Sequence, residues 1–193
     1  MKKILTSLTI LLLSFSLFAS NSYFGINTSY SYSKINFSKT NEDGSELRKA
    51  NKEQSAIISI DGGNYLDLNS FDIGIAYGAS ILSFTLPSNS APSFKVSPYL
   101  ALSGKYNFNE TLFLSGMVGV EYRSVTGSLD TKDITLTTLP LLFDFSAGAD
   151  LFSHLQAKVG LRVDTPIHTF ENSEKIKASG YTLRPYVSLA VLY

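Results

Sequence analysis

Read in steps of two, the chain separates into an apolar and a polar residue population, and this alternation recurs in about eight segments. In the last of them Tyr181, Leu183, Val187, Leu189, Val191 and Tyr193 share one parity, while Thr182, Arg184, Tyr186, Ser188 and Ala190 occupy the other. Phe71, Ile73, Ile75, Tyr77, Ala79 and Ile81 stand in the same way against Asp72, Gly74, Ala76, Gly78 and Ser80. Successive side chains of a strand point to opposite faces, so each segment reads as a strand with one greasy and one polar face. Repetition along the whole chain is the pattern of a membrane-spanning β-barrel.

The segment before the first strand has a different character. Lys2 and Lys3 precede an apolar run from Ile4 to Phe18, and small residues follow at Ala19 and Ser20. The run is shorter than the ~20 residues a spanning helix needs, so residues 1–19 are expected to be a cleaved signal peptide. Residues 20–193 then form one barrel domain. Beyond residue 19 no apolar stretch is long enough for a transmembrane helix, although 44% of the chain is hydrophobic and only 17% charged. Backbone groups in hydrocarbon must bond to one another, which leaves a closed barrel as the other spanning solution.

Loss of Lys2 and Lys3 leaves 14 basic against 16 acidic side chains, a formal charge of −2. No basic patch points to nucleic acid. With no cysteine, disulfides and thiolate metal sites are excluded.

The alternation predicts strands over residues 22–36, 55–65, 71–85, 94–106, 112–124, 134–149, 155–167 and 180–193. The expected fold is all-β, an eight-stranded antiparallel up-and-down transmembrane β-barrel with both termini periplasmic. Leu66 to Ser70, Asn107 to Glu110 and Asp150 to His154 are short enough for periplasmic turns, with Asn, Asp and Ser to bond the chain locally. Ser38 to Glu53, Pro87 to Ser93, Val125 to Asp133 and Thr169 to Ser179 are longer and polar, and read as external loops. Gly62 and Gly63 interrupt the second strand and suggest a bulge there.

Alternation alone also suits a soluble barrel or sandwich. Three features favour the membrane. The polar face is rich in Gly, Ser and Ala, as a narrow lumen requires, rather than in Lys and Glu. Aromatics gather at strand ends, with Tyr23, Phe24, Tyr65, Phe71, Tyr106, Phe108, Phe113, Phe152 and Tyr193 near one rim. Tyr30, Tyr32, Phe37, Phe84, Phe94, Tyr122, Phe170 and Tyr181 lie near the other. The chain also stops on an alternating strand, YVSLAVLY, in which Tyr186, Leu189, Val191 and Tyr193 are similar to the C-terminal signal by which outer-membrane barrels are recognised for insertion.

On these features the chain resembles the small eight-stranded outer-membrane proteins of Gram-negative bacteria, the OmpX, OmpA-barrel, OmpW and opacity-protein group. The resemblance spans residues 20–193 and implies a fold and a location rather than an activity. It implies contact with outer-membrane lipid and lipopolysaccharide, and with the barrel-assembly machinery through the last strand.

Assigning faces strand by strand sends twelve charges inward: Asp61, Asp72, Glu121, Asp144, Asp150 and Asp164 against Lys95, Lys105, Arg123, Lys158, Arg162 and Arg184. An eight-stranded barrel is just wide enough for side chains to fill, so these are expected to interlock as a plug. Arg162 and Arg184 lead that list because their strands are sequence neighbours. The alternative is a narrow conduit for ions or small solutes in which the same pairs part and re-form.

Pro98, Pro140, Pro166 and Pro185 remove ladder donors at what the sequence suggests is one height near the outer rim. They mark either the end of regular pairing or a weakened seam between the last three strands. Lateral entry of a lipid through such a seam is what resemblance to the lipid A palmitoyltransferase barrel implies. His154 falls in a turn and His168 at an external strand end, each read as a solvated loop histidine. No catalytic residue, cofactor site or metal-ligand spacing is expected. The leading reading is a non-enzymatic envelope protein with a plugged lumen and surface loops, of which SKTNEDGSELRKANKE is the longest, for structural or adhesive contact with an unknown ligand.

Overall fold

The computed structural model describes residues 21–40, 46–86, 93–129, 132–171 and 174–193. The expected leader and the tips of four connections lie outside the described residues. Among the described residues there are nine strand segments: β1 (Asn21–Thr40), β2 (Glu46–Leu68), β3 (Phe71–Leu86), β4 (Ser93–Asn107), β5 (Leu112–Glu121), β6 (Arg123–Leu129), β7 (Lys132–Leu151), β8 (Leu155–Glu171) and β9 (Glu174–Leu192). Each pairs antiparallel with its neighbour in the order β5-β4-β3-β2-β1-β9-β8-β7-β6, and an additional β5–β7 pairing closes the sheet on itself. β5 and β6 are one stave interrupted at Tyr122, so the molecule is a closed eight-stranded, up-and-down antiparallel barrel.

The interruption has a local cause. Across from Glu121 and Tyr122 stand Pro140 and Leu139 of β7, where the β7–β8 ladder slips. Proline has no N–H to give at that position. On its other side the stave stays tied to β4, where Tyr122 donates its backbone N–H to the Pro98 carbonyl at 2.8 Å.

One end of the barrel closes tightly. Asn69 and Phe152 adopt φ of 71° and 61° in the β2–β3 and β7–β8 turns, and Asp67 Oδ1 accepts the Asn69 N–H at 2.8 Å. In the β4–β5 turn, Asn109 Oδ1 accepts from the N–H groups of both Thr111 and Leu112. Asparagine tolerates this left-handed backbone and bonds it locally, which is why these connections stay short. Ser22 and Tyr193 exchange backbone hydrogen bonds of 3.1 and 3.0 Å at the same end.

The other end is taller than the sequence suggests. Pairing continues to Thr40↔Glu46, Leu129↔Lys132 and Glu171↔Glu174. Most of the three segments read as loops, Ser38–Glu53, Val125–Asp133 and Thr169–Ser179, is therefore β-ribbon. Polar composition reports contact with water, not the absence of a ladder, and a two-stranded ribbon can be wet on both faces. β1, β2 and β7 hold 20, 23 and 20 residues, whereas crossing the hydrocarbon takes about 9–11.

Side chains obey the two-fold alternation. On β7, Leu142 is 0% exposed and faces inward, while Phe145 is 64% exposed and faces out. Leu102, Val159, Leu161, Val187 and Leu189 join Phe145 in an exposed apolar belt. A belt this continuous requires hydrocarbon around it rather than water. Exposed Phe71, Tyr106, Phe108, Phe152 and Tyr193 form the girdle at the short-turn end, and Phe84, Phe94, Tyr122 and Tyr181 that at the ribbon end. Tyr23, Tyr65 and Phe113, assigned from the sequence to the first girdle, are buried instead, as is Phe37 from the second. They lie on inward parity, and the lumen needs bulk between its charges.

The expected bulge at Gly62 and Gly63 is absent. Both pair in register with β1 and β3, and the irregularity of β2 falls between Ile58 and Ser59. The glycines have another use. Tyr77 lies across Gly62 and Tyr23 across Gly63, with ring atoms 2.7 and 2.4 Å from where a Cβ would stand. Neither site has room for a side chain.

Candidate functional site

The lumen is the chemically distinctive region, and its side chains stack in three tiers. Nearest the ribbons, Glu121 of β5, Arg123 of β6, Asp164 of β8 and Arg184 of β9 form a ring of alternating charge. Arg123 donates to Glu121 at 2.9 Å and to Asp164 at 3.1 Å. Arg184 donates to Asp164 at 2.8 Å and also to Glu121. Two acids and two bases close on one another with no net charge, and Asp164, Glu121 and Arg184 are almost wholly buried.

The middle tier centres on Arg162. Its Nε donates to Asp144 at 3.2 Å, its Nη2 lies 3.9 Å from Asp61, and its guanidinium sits 4.6 Å over the Tyr99 ring. Tyr99 donates to Asp61 at 2.8 Å and Tyr186 to Asp144 at 2.9 Å, while Asn27 Nδ2 donates to Asp61 at 3.1 Å. Lys158 adds the second positive charge, its ammonium 4.4 Å over Tyr23. Each carboxylate thus has an arginine and a phenol on it, an arrangement that compensates for removing ions from water. The enclosed void beside this tier is about 10 Å³, at most room for one water.

At the short-turn end Lys105 pairs with Asp150 at 3.0 Å and lies 4.3 Å over Phe113. Gln156 also donates to Asp150, at 2.8 Å, and Asn107 donates to Asp72 at 3.1 Å. Of the twelve charges expected inward, eleven are placed in these tiers. The side chain of Lys95 lies outside the described residues. Arg162 and Arg184, singled out from the sequence, are indeed cross-strand partners, yet their guanidinium groups serve different tiers.

The four prolines are not level. Pro140 faces Pro166, but Pro185 faces Leu161, closer to the short turns, and Pro98 faces Ala79 across β3. Pro140 is buried, whereas Pro98 and Pro185 point outward. The β7–β8 ladder is interrupted only by its slip at Pro140. The β8–β9 ladder, in contrast, lapses between Asp164↔Thr182 and Thr169↔Ile176. Thr165 Oγ1 spans part of the lapse by donating to the Gly180 carbonyl at 2.9 Å. Beyond β9, the β1–β9 ladder lapses between Tyr32↔Leu183 and Ser29↔Tyr186. His154 lines the mouth at the turn end, and the His168 side chain lies outside the described residues. Among the described residues no group of three or more His, Cys, Asp or Glu side chains is placed to hold a metal ion.

No family model matches this chain, and no curated protein matches it. Solved structures do. The outer membrane protein OprG from Pseudomonas aeruginosa superposes with a TM-score of 0.63 at 12% identity, over 91% of this chain and 96% of that one. This chain has the fold of the small outer-membrane β-barrels. Ail, the attachment invasion locus protein of Yersinia pestis, matches in its complex with the heparin analogue sucrose octasulfate. Its TM-score is 0.52 at 10% identity, over 89% of this chain and 99% of that one.

Sequence reading of this outer-membrane barrel put Tyr186 on the polar face but missed the other aromatic members of the lumen. Tyr65, Tyr99, Tyr186 and Phe113 each lie over an inward glycine: Gly74, Gly78, Gly160 and Gly148. The missing side chain is the seat on which the ring rests, and it lets the Tyr99 and Tyr186 hydroxyls reach the acids. The signal was present as glycines and tyrosines of lumen parity on adjacent strands. Pairing them needed the register.

Because one charged tier remains above Arg162 and one below, Arg162→Ala is expected to lower the barrel's thermal resistance in detergent without opening a conducting path. Gel-shift melting and planar-bilayer recording of the same variant check both halves.

Proposed function

We propose that this chain is a non-conducting, non-enzymatic outer-membrane barrel that serves as a rigid base for β-ribbons projecting outside the cell, with both termini periplasmic. The observation that carries the reading is the unequal ends: turns of a few residues on one side and paired strands well beyond hydrocarbon length on the other. Short turns facing the periplasm and long connections facing outward are the usual asymmetry of such barrels. The two charge-balanced tiers support a closed lumen, since hydrated ions need a continuous polar path and the void beside the middle tier is only about 10 Å³. Lipid and lipopolysaccharide contact the apolar belt. The assembly machinery engages the last strand, on which Leu189, Val191 and Tyr193 face outward and Tyr186 inward. The ribbons meet a surface ligand.

The purified, folded protein is expected to give a flat current trace in a planar bilayer; discrete steps would overturn the closed lumen. Shortening the β1–β2 ribbon to a tight turn near Ser33 and Glu53 is expected to leave the amount of folded barrel unchanged while abolishing adhesion or phage sensitivity of the cells that carry it. Undiminished contact after that deletion would remove the display role.

A second reading, lateral access for an apolar molecule, is favoured by the lapse in the β8–β9 ladder. It predicts fast amide exchange at Ala178 and Gly180, whose N–H groups face the lapse, relative to Tyr186 and Ser188, which face paired β8. Equal protection would leave the seam closed.

A further inference from the structure

The mouth at the short-turn end is a cavity of about 640 Å³ with a largely polar wall. Four carboxylates line it, Asp67, Asp72, Glu110 and Asp150, against the single ammonium of Lys105 and the imidazole of His154. Lys105 is already committed to Asp150 and lies over Phe113. Asp67 Oδ1 caps the Asn69 N–H.

Asp72 is different. It is 2% exposed and makes no ion pair among the described residues. Its Oδ2 accepts from Asn107, and its Oδ1 is buried with no partner. A buried carboxylate oxygen without a donor is costly, and native proteins keep few of them. The two tiers deeper in the barrel balance their charges, so the excess of acid is confined to this mouth.

We infer that the mouth binds a linear polyamine, one ammonium of which donates to the free Asp72 oxygen while the others lie among the mouth carboxylates. A primary ammonium carries three donors and no acceptor, which matches an orphaned acceptor flanked by further acids. Metal ions suit the site poorly, because no group of three candidate ligands is close enough among the described residues. The volume is within the range of small-molecule sites, and Phe108 in the wall offers apolar surface to the methylenes between the amines.

Spermidine titrated calorimetrically into the detergent-solubilised protein at about 150 mM salt, where loose surface attraction is screened, is expected to bind saturably. Asp72→Asn is expected to weaken binding at least roughly tenfold, the loss of one charge-assisted hydrogen bond. The same variant should unfold no more readily than the unsubstituted protein without spermidine, since it removes an unpaired buried charge. In the unsubstituted protein the Asn107 side-chain amide resonances should shift on adding spermidine, which locates the site without any variant. An absence of saturable heat, unchanged affinity in Asp72→Asn, or an unmoved Asn107 amide would each overturn the inference. So would magnesium chloride displacing spermidine at equal concentration, which would assign the mouth to divalent cations.

Discussion

Replacing Arg184 by alanine is expected to destabilise the barrel by about 3–5 kcal/mol, the range for removing one partner from a buried ion pair. Arg184 donates to both Glu121 and Asp164 and is almost wholly buried. Without it, two acids face each other with only Arg123 to hold them, in a place that water barely reaches. Reversible urea unfolding in micelles measures the loss. The paired replacement Glu121→Gln with Arg184→Met removes opposite charges together and is expected to cost clearly less. A loss under about 1 kcal/mol for Arg184→Ala would mean that water screens the ring as it does a surface pair, and the closed-lumen reading would lose its main support.

Gly160→Val is expected to cost about 2–5 kcal/mol for a different reason. A Cβ at this position would stand 2.7 Å from Ser146 Cβ and from two atoms of the Tyr186 ring. The ring has little freedom to retreat, because its hydroxyl is held by Asp144, which in turn holds Arg162. Overpacking of this kind costs about 1–3 kcal/mol, and a carboxylate left without its phenol adds a similar amount. Removing the obstructing ring should recover part of the loss, so Gly160→Val combined with Tyr186→Ala is expected to fall short of the sum of the single effects. Strict additivity, or a single-variant loss within about 0.5 kcal/mol, would show that the glycine is not a seat for the ring.

These two variants separate what holds the interior together. Arg184 tests the electrostatic closure of one tier, whereas Gly160 tests the shape that places Tyr186 in the next. The aromatic and charged layers depend on one another: rings seated on glycine fill the width of the lumen and deliver hydroxyls to the acids, and the acids hold the guanidinium groups across it.

Alternation along each segment divided the two faces of every strand, and the small-residue polar face, the aromatic strand ends and the last strand then said which face meets lipid and which way the charges point. The reason is that a strand's side-chain period is fixed by its backbone and needs no partner to be expressed. Asp144, Arg162 and Arg184 could therefore be sent inward before any pairing was known. Which acid meets which base was decided by register and strand tilt across the closed sheet, and so Arg162 and Arg184, although cross-strand partners, belong to different tiers. The same holds for Tyr23, Tyr65 and Phe113, whose burial depends on glycines supplied by neighbouring strands. The height of the ribbons was hidden for another reason, since polar residues such as those of β6 and the outer part of β9 report only that water is near. Whether they continue a ladder is settled by the strand beside them.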